Sequence, residues 1–154
     1  MRVQARNVRL GVLTGAIAGA ATAGALVGLG WRHGAALDPF TFAGRAMLGA
    51  VRDGVAVLAG VGLHVAWTMV WGICFTVVAA PLRGARLMLA ALAFATALWA
   101  VSTLALPGVS PIVRVAGLTI TRTLFVYLVL AISLVMGMRL ARTTLDGRMI
   151  GHSA

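Results

Sequence analysis

Apolar residues fall in four long blocks separated by short segments that carry arginine. The first, Leu10 to Gly30, holds no charge in 21 residues; the second, Gly54 to Leu82, is broken only by His64. The third, Leu87 to Leu106, is closed by Pro107 and Gly108, and the fourth, Val115 to Met138, contains Arg122. A hydrocarbon core about 30 Å thick takes roughly 20 helical residues, so each block has the length of a membrane span. The blocks lack the two-residue alternation of a barrel strand and are two to three times too long for one, which favours helices. The pattern predicts an all-α polytopic membrane protein, a four-transmembrane-helix bundle in one membrane domain over residues 1–154. Its spans are expected at about 10–30, 55–80, 87–106 and 115–138.

The segment between the first two blocks is the longest connection. Asp38 followed by Pro39 reads as an N-cap and a proline at the first helical position, opening a short helix over 39–51. Phe40, Ala43, Met47 and Val51 would share one face, with Arg45 and Arg52 towards headgroups, so a helix lying in the interface is expected. An ordered loop over the bundle end fits the same residues.

Composition agrees with a lipid solvent. Of the 154 residues 61% are apolar and 10% charged, and the mean hydropathy is +1.01, too little polar surface to coat a water-facing globule. The net charge of +10 alone would suit nucleic acid, but the thirteen basic residues, all Arg, sit mainly in the connections between apolar blocks. That is a topological pattern, and no nucleic-acid partner is expected. The absence of Lys fits a GC-rich genome, and a bacterial inner membrane is the expected location. Orientation follows from the arginine count: eight lie in the amino terminus (Arg2, Arg6, Arg9), second connection (Arg83, Arg86) and carboxyl tail (Arg139, Arg142, Arg148). Four lie in the first connection (Arg32, Arg45, Arg52) and the third (Arg114). Both termini are therefore expected in the cytoplasm. An alternative reading of the first block is a cleaved secretory signal, since Arg2, Arg6 and Arg9 precede small residues including Ala21-Thr22-Ala23; its length and the missing polar break before a cleavage site argue against this. Gly62-Leu63 with Thr68 echoes Gly117-Leu118 with Thr123, a match that restricted apolar alphabets also produce by chance.

Three features bear on function. Gly11, Gly15 and Gly19 form a row on one face of the first helix, and Ala20, Gly24 and Gly28 a second row. Small rows let two backbones approach, and in lipid van der Waals contact must supply what hydrophobic burial does not. One row is expected to pack inside the bundle and the other against a second copy or another subunit. In the second block, His64 and Thr68 lie one turn apart, as do Trp67 and Trp71, a polar and aromatic stripe with Trp67 and Trp71 as a candidate aromatic interface. Haem ligation by His64 in a homodimer is a remote alternative.

The third feature is Arg122. An Arg inside a span costs at least ~2.5 kcal/mol unless it faces the bundle interior, water or a partner. Counted from the outer span ends, Arg122 lies about 10 Å in and His64 about 15 Å in. With Thr68, Ser102, Thr103, Thr119 and Thr123 these residues make a candidate polar pocket in the outer half of the bundle. The competing reading is an internal hydrogen-bond network with Asp53 as counter-ion.

What is absent narrows the classes. The sequence has no Glu, and Asp38, Asp53 and Asp146 all lie outside the blocks, so the carboxylate usual for proton or sodium coupling is missing. Cys74 is the only cysteine, which excludes an intrachain disulfide, a redox pair and a thiolate cluster. No hydrolase, zinc-protease, phosphate-loop or dinucleotide motif occurs. No catalytic residue, metal site or bound cofactor is therefore expected. The leading expectation is a non-enzymatic accessory, assembly or self-associating subunit whose partners are the bilayer and other membrane subunits or itself. The alternative is a small anion channel or carrier lined by Arg122 and His64.

Overall fold

The computed structural model describes residues 2–31, 34–102 and 120–150, with side chains at 6–31, 34–102 and 121–145. The described chain is helical throughout its elements: α1 (Arg2–Trp31), α2 (Asp38–Leu48), α3 (Asp53–Ala79), α4 (Gly84–Ala100) and α5 (Ile120–Ile150). Three helical stretches, Arg6–Trp31, Asp53–Ala79 and Thr121–Leu145, are long and apolar enough to cross a membrane, while the apolar α4 is shorter. α1 and α5 extend beyond the apolar blocks that predicted them, α1 back to Arg2 and α5 on to Ile150. No proline interrupts either extension, and helical geometry tolerates their polar residues.

The long helices form a ring in the order α3, α1, α5, α4. Gly11 and Gly15 of α1 meet Ile73 and Met69 of α3, and Gly137 of α5 meets Thr14 of α1, so α1 runs antiparallel to both neighbours. α3 and α4, joined by a turn in which Gly84 takes a φ of 54°, touch chiefly through aromatic rings. The core lies in the half of the ring near that turn. Ala18, Ala79, Ala91, Ala95 and Ala131 let the helices close on Phe75, Leu134 and Met138, which are fully or almost fully buried. The outer faces are the reverse: Leu58 is 75% exposed, and Val77, Val78 and Leu89 are about two-thirds exposed. Apolar surface on that scale, spread over several helices, suits lipid.

α2 corrects two details read from the sequence. Asp38 is the first helical residue, not a capping side chain; no side chain caps this end, and Pro39 follows inside the first turn. The helix stops at Leu48, because Gly49 adopts a φ of 77° and its N–H closes on the Arg45 carbonyl at 2.8 Å. The buried face is Phe40 and Gly44, whereas Met47 is exposed. Gly44 meets Ala56, Gly60 meets Phe40, and Phe40 reaches His64. Reverse-order contacts over several turns mean that α2 packs lengthwise against the first half of α3. The connecting turn is held by an ion pair of Arg45 with Asp53, both well exposed.

Candidate functional site

The two small-residue rows of α1 have different surroundings. Gly11, Gly15 and Gly19 lie against α3, where a Cβ on any of them would run into the backbone of Ile73, Thr68 and Met69 or the Thr68 hydroxyl. Gly72 completes this seam from the other side, facing the Gly11 carbonyl and the Gly15 backbone. Here the two main chains touch, an arrangement that only glycine permits on both helices. The second row turns away from it. Ala20 is exposed, and among the described residues a Cβ on Gly24 or Gly28 would meet nothing within 4 Å. Leu13 and Trp31, both exposed, continue the same line along α1.

The stripe on α3 divides between two neighbours. Thr68 is buried beneath Gly19 and returns its hydroxyl to the Val65 carbonyl at 2.9 Å. His64, half-buried, places Nε2 3.0 Å from Thr22 Oγ1 and 3.3 Å from the Gly19 carbonyl. A carbonyl only accepts, so Nε2 carries the proton and donates, while Thr22 donates its own hydroxyl to the Ala18 carbonyl at 2.8 Å. Phe40 stands edge-on to the imidazole, ring centroids 5.7 Å apart. A haem iron at Nε2 would have to displace both of these α1 contacts. Trp67 and Trp71 face the α4 side instead: their rings meet at 5.3 Å and 88°, and Trp71 continues to Phe94 at 6.0 Å. Trp67 is 55% exposed, the outer end of this ladder.

The described members of the candidate polar pocket lie on α3, just after α4 and on α5. Thr103 and Thr119 lie outside the described residues. Ser102 bonds to the Tyr127 hydroxyl at 2.7 Å and to the Trp99 carbonyl at 2.9 Å, across α4 and α5. Arg122 and Thr123 are half-buried on α5. With Gly137 beside Thr14, the antiparallel register sets Arg122 about level with Leu29, near the end of α1, and His64 level with Thr22, roughly 10 Å deeper. His64 thus serves the α1–α3 seam and Arg122 the end of α5. Asp53, the expected counter-ion, pairs with Arg45. A cleft of about 440 Å³ does lie between α4 and α5, but its walls are Leu92, Thr96, Trp99, Phe125, Tyr127 and Leu128, and it is mainly apolar.

The structure also assigns work to residues that the apolar pattern did not single out. Arg142, placed by sequence in a tail, is on α5 and reaches across to the end of α3: Nη2 donates to the Ala80 carbonyl at 2.8 Å and Nη1 to Leu82 at 3.2 Å. These carbonyls follow the last turn of α3, and a cation there also meets the negative end of the helix dipole. The available signal was the absence of a breaker between Met138 and Asp146, which carries the helix past the span. Thr14 and Thr76 are fully buried, and their hydroxyls have no hydrogen-bond partner among the described residues.

The His64 contact has a measurable size. Interhelical hydrogen bonds in membranes average about 0.6 kcal/mol and reach about 1.7. Thr22→Val should therefore cost about 0.6 kcal/mol in thermal unfolding of the detergent-solubilised protein. A loss of several kcal/mol would contradict the assignment of this contact as one ordinary bond.

Among known proteins, the chain matches no family model, no curated sequence and no solved structure.

Proposed function

We propose that this chain is a small, non-enzymatic inner-membrane subunit that acts by helix packing, self-associating or joining a larger membrane assembly through the outward row of α1. One observation carries the reading. α1 has two small-residue rows; the inner one is filled by α3, whereas Gly24 and Gly28 on the outer one face open space. Among the described residues an intrachain role explains the first row, and none of them fills the second. Glycine in an exposed helix interior costs about 1 kcal/mol relative to Ala, which close approach of another backbone would offset. Exposed Trp67 offers a second, aromatic contact.

The membrane placement belongs to the same reading. α4 covers roughly 26 Å as a 17-residue helix and lies in the ring with three helices of spanning length, so it is taken as the fourth span. α2, with its lengthwise seat on the first half of α3, lies alongside the outer half of that span. The opposite end, which carries Arg6, Arg9, Arg83, Arg86, Arg139 and Arg142, faces the cytoplasm.

Cys74 makes a clean in-membrane test of the self-associating form, since it is the only cysteine to remove. In a Cys74→Ala background, oxidation of Gly24→Cys in native membranes should give a disulfide-linked dimer, and Leu58→Cys on the exposed face of α3 should give none. Equal cross-linking at both positions would mean random collision and would count against the row.

A further inference from the structure

At the end of the bundle opposite α2, two guanidiniums converge on the same two oxygens. The Ala80 carbonyl accepts from Arg142 Nη2 at 2.8 Å and from Arg83 Nη1 at 3.0 Å. The Leu82 carbonyl accepts from Arg142 Nη1 at 3.2 Å and from the same Arg83 nitrogen at 3.0 Å. Two full positive charges are thus held side by side around one turn. The carbonyls that hold them are neutral, and the end of a helix adds about half a negative charge. Arg86 follows Arg83 by three residues and Arg139 precedes Arg142 by one helical turn, both exposed. The antiparallel register brings Arg6 and Arg9, also exposed, to this end. Asp146, one turn beyond Arg142, is the only acid in this part of the sequence and offsets one charge of the six.

We infer that Arg83 and Arg142 form a binding site for the phosphate of an anionic phospholipid, with Arg86 and Arg139 as flanking charges. Guanidinium is suited to phosphate because its planar N–H fork matches the oxygen spacing. Arg83 meets the carbonyls through Nη1 alone and keeps its Nη2–Nε edge for such a fork, while Arg142, with both Nη atoms on carbonyls, adds the second charge whose repulsion the anion relieves. The source is a lipid because this turn joins two apolar helices whose outward residues, Val77, Val78 and Leu89, are strongly exposed and apolar. A headgroup at the turn leaves its acyl chains beside those side chains. The inference rests on the membrane reading and is independent of self-association.

Lipid titration of the detergent-solubilised full chain, followed by native mass spectrometry, tests it. Phosphatidylglycerol should bind about 25-fold more tightly than phosphatidylcholine, at about fivefold for each of the two guanidiniums engaged. Arg83→Gln/Arg142→Gln should cut the preference by about the same 25-fold factor, and Arg45→Gln/Arg52→Gln at the other end should leave the preference intact. Arg83→Gln alone, which leaves the Arg142 contacts with α3 in place, should reduce the preference and keeps the test valid should the double variant fail to fold. No preference in the natural protein, or equal loss in the control pair, overturns the site. Displacement of phosphatidylglycerol by millimolar inorganic phosphate overturns the lipid assignment in favour of a free anion. A self-association that persists while lipid preference is lost, or the reverse, separates this site from the proposed subunit role.

Discussion

Gly72→Leu is expected to remove the folded bundle from the membrane fraction. Gly72 faces the Gly11 carbonyl and the Gly15 backbone, so a leucine there has no rotamer that avoids main-chain atoms of α1. Overpacking a core with side chains that can yield costs about 1–3 kcal/mol; two backbones cannot yield, and α1 must part from α3 along the seam. With it go the close contacts at Gly15 and Gly19 and the His64–Thr22 bond. The expected loss exceeds about 3 kcal/mol, a large part of an ordinary folding free energy. Accumulation in membranes and thermal unfolding in detergent report it. Gly24→Leu, on the outward row, is the matched control: it adds the same atoms where no described residue lies within 4 Å, and in detergent it should cost nothing, or stabilise by up to about 1 kcal/mol as the glycine penalty is relieved. Equal loss for both would mean that the seam is not where the structure has it.

The second large effect is expected at Arg142. Arg142→Leu removes charge-assisted bonds to the Ala80 and Leu82 carbonyls and the favourable placement of a cation at the end of α3. Hydrogen bonds to charged groups contribute about 1.5–3 kcal/mol net, and Arg83 still covers part of the same turn. A loss of about 2 kcal/mol follows, or roughly 4–8 °C in the unfolding midpoint for a chain of this size. Arg142→Lys retains the charge but not the fork that spans two carbonyls, and should recover about half. Arg139→Leu, on an exposed neighbour, should change stability by less than about 0.5 kcal/mol. A midpoint for Arg142→Leu that matches Arg139→Leu would show the cap to be dispensable.

These two residues illustrate what the sequence could and could not disclose. The helical character and the apolar lengths of α1, α3 and α5 were legible because lipid demands about twenty apolar residues in a row, a signal that survives without any knowledge of neighbours. The glycine rows were legible for a similar reason: a four-residue repeat puts small residues on one face whatever packs there. Which row meets α3 was not, since that depends on Gly72, Thr68 and Met69 presenting a matching groove. The polar residues were the hardest to place. Depth counting set His64 and Arg122 close together, but depth fixes one coordinate of three. His64 turns to α1 while Arg122 stands on α5. Asp53, next to the α2–α3 turn, is taken by Arg45, a partner eight residues away in sequence. Arg142 escaped notice because charge marks the edge of an apolar block, and an edge in hydropathy is not the end of a helix.

α1 packs against α3 and α5 of its own chain, and the proposed role gives its Gly24–Gly28 face to a neighbour. Native mass spectrometry of the protein drawn from its own membranes in mild detergent tests that claim most directly. The natural chain, 15.9 kDa alone, should emerge within a heavier species, and Gly24→Ile/Gly28→Ile should emerge as the bare, folded monomer. A natural protein that is already a bare monomer, or a double variant that keeps the heavier mass, would contradict the account.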